Sequence, residues 1–225
     1  MHQSLSITLL LICTLTLSAC TLAQRGEVHQ RTYQLVLGEL EAAQTEDRQG
    51  SLSVSRLEVQ PGYDTSAMAY RRSAHELEYF AHSRWTDRPA RMIHPALIDG
   101  LQTLGPFEHV VDATAGIATR FRLDVELARL EQDFRMEPSE VHLDLRFRLL
   151  DRRGRDILLS ERIALTEAAE SDSPEGGVSA ANRALESAVR RISERLAAAL
   201  EDAQIDESDQ SDRRSRSAET QRNMP

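Results

Sequence analysis

EVHLDLRFRLL, residues 140–150, has the most regular pattern in the chain. Every odd position from Val141 to Leu149 is apolar, and the even positions between them carry His142, Asp144 and two arginines. A period of two places the apolar side chains on one face of a β-strand and the polar ones on the other. One buried and one wet face is typical of antiparallel sheets, so the stretch predicts a strand of such a sheet, packed on a core.

The same alternation occurs on both sides of this strand. Apolar residues occupy the odd positions from Phe121 to Leu127, and after a polar turn at 151–155 they recur at odd positions from Ile157 to Leu165. Between 52 and 59 the apolar positions change from even to odd, which predicts a β-bulge. Further strand candidates are Tyr33–Leu37, Ala67–Arg71 and Glu76–Trp85.

Two helices are predicted between and after these strands. Pro89–Leu104 has apolar residues at spacings of three and four, and Gly105-Pro106 is expected to end it through a left-handed glycine cap. A final helix is expected from Ser179, as its cap, to about Asp202. The order of elements predicts an α+β fold, a mostly antiparallel sheet covered on one face by two helices, as a two-layer sandwich over residues 33–203.

The N-terminal region predicts export and lipidation. Residues 1–19 contain a short apolar run, and Leu17-Ser18-Ala19-Cys20 has the pattern of a lipobox: an aliphatic residue, two small residues and cysteine. A run of about 13 apolar residues is too short to span a membrane, where about 20 are needed. We therefore expect a signal peptide at 1–19, lipidation with palmitate-type chains on Cys20, and a linker at 20–32.

The C-terminal segment 204–225 is almost entirely polar after Ile205. A segment with so little apolar surface to bury does not offset its chain entropy by folding. We expect it to be a disordered polar tail.

Composition and motifs argue against several classes of function. The net charge of −9 disfavours nucleic acid as a partner. The chain has no Lys, hence no phosphate-binding Gly-rich loop ending in Lys, and it has no Gly-x-Ser-x-Gly elbow. The histidines are scattered, without a helical ligand spacing. We expect no catalytic residues, no metal site and no cofactor.

The segment Tyr79–Pro89 has an unusual composition, since it holds the only Trp of the chain. One interpretation is packing, in which Trp85 fixes the helix start on the sheet and Arg84 pairs with an acid. The alternative is a contact with a partner or lipid, because Trp and Arg are common at interface hot spots. The packing interpretation is favoured, because Trp85 lies four residues before a Pro that begins a helix.

These residues complete a set of motifs by which the chain resembles a known family. The set comprises the lipobox at Cys20, the strand Tyr33-Gln34-Leu35, the strand Met68-Ala69-Tyr70-Arg71, and Tyr79 followed by Arg84-Trp85 and Pro89. In order and spacing they are similar to the ABC-type transport auxiliary lipoproteins, the paraquat-inducible protein C-like group. The resemblance covers roughly 20–202, and the candidate site residues that it implies are Tyr70, Arg71, Tyr79, Arg84, Trp85 and Pro89.

The resemblance implies an accessory, non-catalytic role in lipid transport between the inner and outer membranes. The implied partners are a mammalian-cell-entry-type lipid-binding protein with its ABC permease and ATPase, and the membrane itself through the N-terminal lipid. Thr21, which stands where Asp would retain a lipoprotein at the inner membrane, implies the periplasmic face of the outer membrane. Whether the chain forms a homo-oligomer stays open.

Two other classes of function stay open. One is an envelope assembly or structural lipoprotein of the outer membrane that is unrelated to lipid transport. The other is a periplasmic hydrolase, which would need a nucleophile beside a base. Neighbouring genes for a permease and a lipid-binding partner would favour the transport role over the structural one.

Overall fold

The structure is a computed structural model that describes residues 29–42 and 48–222, with side chains described up to residue 205. The predicted signal peptide, Cys20 and most of the predicted linker lie outside the described residues. The fold described below is that of the compact unit Arg31–Pro225.

Besides two short 3-10 helices, Pro61–Tyr63 and Ala113–Ala115, the described part of this unit contains nine strands and two α-helices. In chain order they are β1 Arg31–Tyr33, β2 Ser51–Val54, β3 Glu58–Val59, β4 Ala67–Arg71, β5 Glu78–Trp85, α1 Pro89–Leu104, β6 His109–Asp112, β7 Phe121–Asp133, β8 Glu140–Asp151, β9 Asp156–Ala168 and α2 Pro174–Arg222. The α+β class with two helices is thus confirmed.

Strand β7 is the centre of the sheet. Along one edge it pairs antiparallel with β8 over its full length, and β9 continues this meander on the other side of β8. Along its other edge it pairs in turn with β2, β3 and β4, all parallel to it. Strands β6 and β1 are also added in parallel, to β2 and β5.

The sheet is therefore mixed, whereas the sequence predicts a mostly antiparallel one. The two long pairings and β4–β5 are antiparallel, and the five other pairings are parallel but only two to four residues long. Alternation identifies which face of a strand is buried, but it does not determine the direction of the neighbouring strand. In strands this short the pattern is also too brief to show the period, and β6 is not among the predicted strands.

The predicted bulge between 52 and 59 corresponds to the break between β2 and β3. Val54 lies opposite Leu123 and Glu58 lies opposite Glu126, so four steps along one strand match three along the other. One extra residue at this point changes the parity of the apolar positions while both strands continue to pair with β7.

Both helices share one core with the apolar face of the long strands, where α2 contacts β8 and β9, and α1 contacts α2 and β6. Fully buried side chains of α1 and α2, among them Leu97, Leu101, Val189 and Ile192, belong to the same cluster as the inward residues of β7 and β8. A Cβ on Gly100 would lie 2.4 Å from Val189, so a side chain at this position would keep the two helices apart. The hydroxyl of Ser193 on α2 donates to the carbonyl of Leu104 at the end of α1, at 2.7 Å.

Helix α1 has the predicted bounds, but its end differs from the predicted cap. Gly105 is extended, with φ −77°, and its N–H donates to the carbonyl of Leu101 at 2.8 Å. A Cβ at this position would lie 2.3 Å from that same carbonyl oxygen. Glycine is therefore required here for close approach to the helix and not for a left-handed conformation.

Helix α2 is longer than predicted at both ends. It begins at Pro174, five residues before the expected cap Ser179, and continues to Arg222, where we expect an end near Asp202 and an unstructured tail. Its start has Pro in the first helical position, which needs no N–H partner. No Gly or Pro interrupts residues 178–224, so nothing in the backbone chemistry ends the helix at 202. Whether the polar turns after 204 contribute to the stability of the domain stays a prediction.

The capping residue of α2 is Ser173. Its hydroxyl accepts from the N–H of Gly176 at 3.2 Å, and its carbonyl accepts from the N–H of Gly177 at 3.0 Å. We predict that Ser173→Ala lowers the free energy of unfolding by about 1 kcal/mol, because it removes a helix cap. Ser179→Ala, the matched control inside the same helix, should change it by less than about 0.5 kcal/mol. Urea denaturation of both variants checks this, and an equal loss from both would contradict the assignment of the cap.

Candidate functional site

The six candidate residues of the family resemblance lie on two adjacent strands and the helix that follows them. Strand β4 carries Tyr70 and Arg71, strand β5 carries Tyr79, Arg84 and Trp85, and Pro89 is the first residue of α1. The strands pair antiparallel, with Tyr79 opposite Ala69 and Arg84 opposite Ala67. The fold thus brings these residues into one region, which we call the β4–β5 hairpin.

Trp85 and Pro89 are buried. Trp85 is 5 % exposed within the main core, and its backbone N–H donates to the carbonyl of Ser66 at 2.8 Å. Its neighbour across the parallel pairing is Tyr33 of β1. This environment supports the packing interpretation, because a side chain at this depth does not reach a partner on the surface.

Arg84 and Tyr79 are the two exposed candidates of the hairpin. Arg84 donates to the hydroxyl of Ser66 at 2.5 Å and makes no ion pair among the described residues, so the predicted pairing with an acid is wrong. Tyr79 is 42 % exposed, and its hydroxyl donates to the carbonyl of Gly62 at 2.9 Å. Both side chains are held in place yet accessible from solvent.

Tyr70 belongs to a small aromatic cluster at the end of the hairpin. Its ring lies 4.5 Å from that of Phe80 and 5.8 Å from that of Phe134, the latter in edge-to-face geometry. Its hydroxyl donates to Glu78 at 2.8 Å, and this bond is the main reason why the pKa of Tyr70 is raised. The cluster joins the hairpin to the loop that follows β7.

Arg71 belongs to a buried charged cluster around Glu131 and Asp133, which we call the charged cluster. The sequence pattern does not predict it. The guanidinium of Arg71 donates to Glu131 at 2.9 Å, and Glu131 also accepts from Arg129 at 2.6 Å and from the hydroxyl of Tyr63 at 2.5 Å. The side chain of Glu131 is 0 % exposed. Burial acts to raise its pKa, but the hydrogen bonds from Arg71, Tyr63 and Arg129 outweigh burial and lower it. Burial, then the bond to Glu131, raises the pKa of Tyr63.

Asp133 forms the second half of this cluster. The Arg135 guanidinium donates to it at 2.5 Å and 2.9 Å, and the Arg135 N–H donates at 3.0 Å. These bonds lower the pKa of Asp133 to about 2. His142 lies 3.5 Å away, and its pKa is lowered, chiefly by burial and then by Arg129.

A register shift explains why the sequence pattern does not reveal this cluster. Leu127 lies opposite Leu145, but Arg129 lies opposite Asp144, so one extra residue stands in β7 between them. Beyond this point the odd positions of β7 share a face with His142 and Asp144, and Leu130 takes the apolar face. The acids at 131 and 133 are visible in the sequence, but Glu131 is covered by Tyr63 and Arg71, which are distant along the chain.

A second polar constellation lies between α1 and β6. His94 Nε2 is 2.8 Å from Asp112, and Thr114 donates to the same carboxylate from both its N–H and its hydroxyl at 2.7 Å. The Thr114 bonds, followed by that with His94, lower the pKa of Asp112 to about 2. The other nitrogen of His94, Nδ1, is buried and bonds no group of the described protein, so no nucleophile stands beside it. The arrangement lacks the nucleophile–base contact of a hydrolase.

The carboxylates of the charged cluster likewise accept hydrogen bonds from arginines. Such an arrangement fixes the hairpin on β7, and it leaves neither Glu131 nor Asp133 free to act as a base. Among residues 29–42 and 48–222 no three His, Cys, Asp or Glu side chains are grouped as a metal site. The candidate residues of this region that are exposed to solvent are Tyr79 and Arg84 of the hairpin.

Comparison with known proteins identifies the family. The model of the ABC-type transport auxiliary lipoprotein component matches residues 33–193, most of the chain. The chain belongs to this family. Among proteins of curated function, none matches the chain significantly.

Two solved structures share the fold of this chain. The chain is similar to protein XCC0632 from Xanthomonas campestris, with a TM-score of 0.69 and 15 % identity over 77 % of this chain and 99 % of that one. It is also similar to an uncharacterized protein, with a TM-score of 0.61 and 14 % identity over 75 % and 99 % of the two chains. At such identities the likeness concerns the fold alone.

Membership confirms the predicted family and places the chain among envelope lipoproteins that assist ABC-type transport. The auxiliary lipoprotein domain, as matched, includes the whole β4–β5 hairpin and the charged cluster. Within the described residues, no helix combines the length and the apolar character needed to cross a membrane.

We predict that the domain loses stability in acid because the charged cluster contains carboxylates with lowered pKa values. Because the pKa of Asp133 falls from 3.8 in the unfolded chain to about 2 in the fold, its contribution is complete above pH 4 and is lost as the pH falls towards 2. A shift of this size corresponds to roughly 2 kcal/mol. We expect Asp133→Asn to be less stable than the wild type at pH 6, with the difference shrinking towards pH 2.

Urea denaturation between pH 2 and pH 7 measures this difference. Asp156→Asn, at an exposed carboxylate, is the matched control and should leave the pH dependence as in the wild type. A constant difference between Asp133→Asn and wild type over the whole range would contradict the ion-pair origin of the effect.

Proposed function

We propose that this chain is a non-catalytic accessory lipoprotein, anchored to the periplasmic face of the outer membrane, of an ABC system that moves lipids between the two membranes. Its partners in this proposal are a mammalian-cell-entry-type lipid-binding protein and the permease and ATPase of that system. The observation that carries the proposal is the family match over 33–193, which contains all the candidate residues of the hairpin.

The division of the hairpin into buried and exposed residues supports a role in binding a partner. Trp85 and Pro89 fix the hairpin to the core, and Arg71 fixes it to Glu131. Tyr79 and Arg84 remain exposed on this rigid support. Residues held by packing and hydrogen bonds lose little entropy on binding, which favours their use in an interface.

A non-catalytic role is consistent with the two polar constellations. Their carboxylates are bound by arginines or by Thr114 and His94, so they serve as structural groups in the fold. An envelope assembly or structural lipoprotein would use the same fold and anchor, and it stays the alternative. Co-isolation with a transporter separates the two roles.

Anchoring is proposed to occur through Cys20, the only cysteine outside 1–19. Lipidation contributes about 0.8 kcal/mol per buried methylene, so several acyl chains bind almost permanently. We predict that Cys20→Ser abolishes incorporation of labelled palmitate and releases the chain from the membrane fraction. Undiminished labelling of the variant would rule out lipidation at this position, and Cys13→Ser, at the other cysteine, is the matched control and should label normally.

Association is tested by isolating the tagged full-length chain from solubilised membranes and identifying the proteins that accompany it. We expect an ABC permease and a lipid-binding partner, and we expect Tyr79→Ala and Arg84→Ala each to reduce their recovery at least fivefold. His82→Ala, at an exposed position of the same strand outside the motif, should leave recovery unchanged. Recovery of other envelope proteins in place of a permease would favour the structural alternative.

A further inference from the structure

The outer face of the sheet, opposite the helices, contains an open recess of about 540 Å³. Its walls are the outward side chains of β7, β8 and β9 and the segment around Arg56. This recess is separate from the β4–β5 hairpin, and nothing in the proposed function uses it. Five arginines line it, and the three that lie on β8 and β9, Arg146, Arg148 and Arg162, are the ones that we call the arginine triad.

The strand register brings the triad together. Arg146 of β8 lies directly opposite Arg162 of β9, and Arg148 lies two residues further along β8, opposite Ser160. Directly opposed side chains have Cβ atoms about 5 Å apart, and diagonal ones are about 7 Å apart. Like charges at opposed positions repel each other, so the pairing of Arg146 with Arg162 costs stability unless anions lie nearby.

The protein itself uses few of the hydrogen-bond donors of the triad. Arg146 contacts Glu126 through Nη1 alone, at 3.2 Å and 3.3 Å, and Arg162 contacts Asp144 through Nη2 alone, at 2.6 Å. Arg148 forms no hydrogen bond or ion pair with the residues that the structure describes. Since a guanidinium has five N–H donors, most donors of the triad are directed to solvent.

Two of the four carboxylates that line the recess, Asp124 and Glu126, lie along β7 and are held by hydrogen bonds. Asp124 accepts from Ser55 at 2.5 Å and from Arg122 at 2.8 Å. Glu126 accepts from the amide of Gln60 at 2.5 Å as well as from Arg146. The recess therefore has bound carboxylates along β7, with Glu58 beside them, and unfilled donors on the arginines of β8 and β9.

The turn half of the β8–β9 hairpin, residues 146–162, differs in the sign of its charge from the chain as a whole. Residues 146–162 contain six arginines and three carboxylates, whereas the whole chain has a net charge of −9. One of those three, Glu161, points to the helix layer and is bound by Arg195. The basic surface is thus local, and it attracts an anion that the chain as a whole repels.

We propose that Arg146, Arg148 and Arg162 form a binding site for a phosphate group on the outer face of the sheet. A carboxylate is planar and is normally filled by one guanidinium fork. A phosphate group has oxygens in several directions, so it can accept from three arginines and from the hydroxyl of Ser160 at the same time. The phosphate belongs either to a lipid headgroup or to a free phosphate ion.

The test is calorimetric titration of the full-length chain in detergent at pH 7.5 with two probes, inorganic phosphate and glycerophosphoglycerol, the soluble headgroup of a phospholipid. We expect saturable binding that weakens as salt is added. Arg148→Gln and Arg162→Gln should each lower the association constant at least tenfold. Arg152→Gln, an exposed arginine outside the recess, removes the same charge and should change it less than twofold.

The association constants of the two probes test the proposed site and distinguish the two sources of the phosphate. Tighter binding of glycerophosphoglycerol assigns a lipid headgroup, and tighter binding of inorganic phosphate assigns the free ion. Absence of saturable binding of both probes, an equal loss in Arg152→Gln, or equal binding of succinate would overturn the site. Thermal melting of Arg148→Gln, Arg162→Gln and Arg152→Gln checks that each variant is folded. These outcomes do not depend on co-isolation of a transporter, so the two proposals can fail separately.

Discussion

The rest of the structure depends on the need to satisfy the backbone of β7 along both of its edges. A strand of 13 residues in the middle of a sheet carries donors and acceptors on each side, and buried groups without partners are costly. Strand β8 covers one edge completely. The other edge is completed piece by piece by β2, β3 and β4, each pairing with two or three residues. The short parallel strands β2, β3 and β4 thus supply the hydrogen-bond partners for the edge of β7 that β8 does not cover.

The outer face of the same sheet holds buried, paired charges at one end and exposed arginines at the other. Near the end of β7, Tyr63 and Arg71 cover Glu131, and the carboxylate is removed from water and held by two arginines and a phenol. Near the β8–β9 turn nothing described covers the face, and the arginines keep donors free for solvent or for an anion. The first arrangement stabilises a fixed geometry, because burial strengthens each electrostatic contact while making each unpaired charge expensive. The second is suited to exchange of a ligand.

The family motif combines support and surface in one hairpin. Trp85, Pro89 and Arg71 hold β4 and β5 against the core and against β7, so the exposed Tyr79 and Arg84 have a rigid base. The members of the motif have two different physical roles. Substitution of a buried member disturbs packing, whereas substitution of an exposed member leaves the fold and changes what can bind to it. The resemblance identified the set, and burial separates its members.

The sequence by itself determined the α+β class, the three long alternating strands, the bounds of α1 and the family. These follow from local periodicity and from motifs, which act over a few neighbouring residues. Tertiary structure alone decided the parallel direction of the short strands, the burial of Glu131 and Asp133, and the opposition of Arg146 and Arg162. Each of these depends on residues that are distant along the chain, and an extra residue at one point, as in β7 between Leu127 and Arg129, transfers all that follow it to the opposite face. Local pattern does not contain that information, because it arises only when the strands are placed in register.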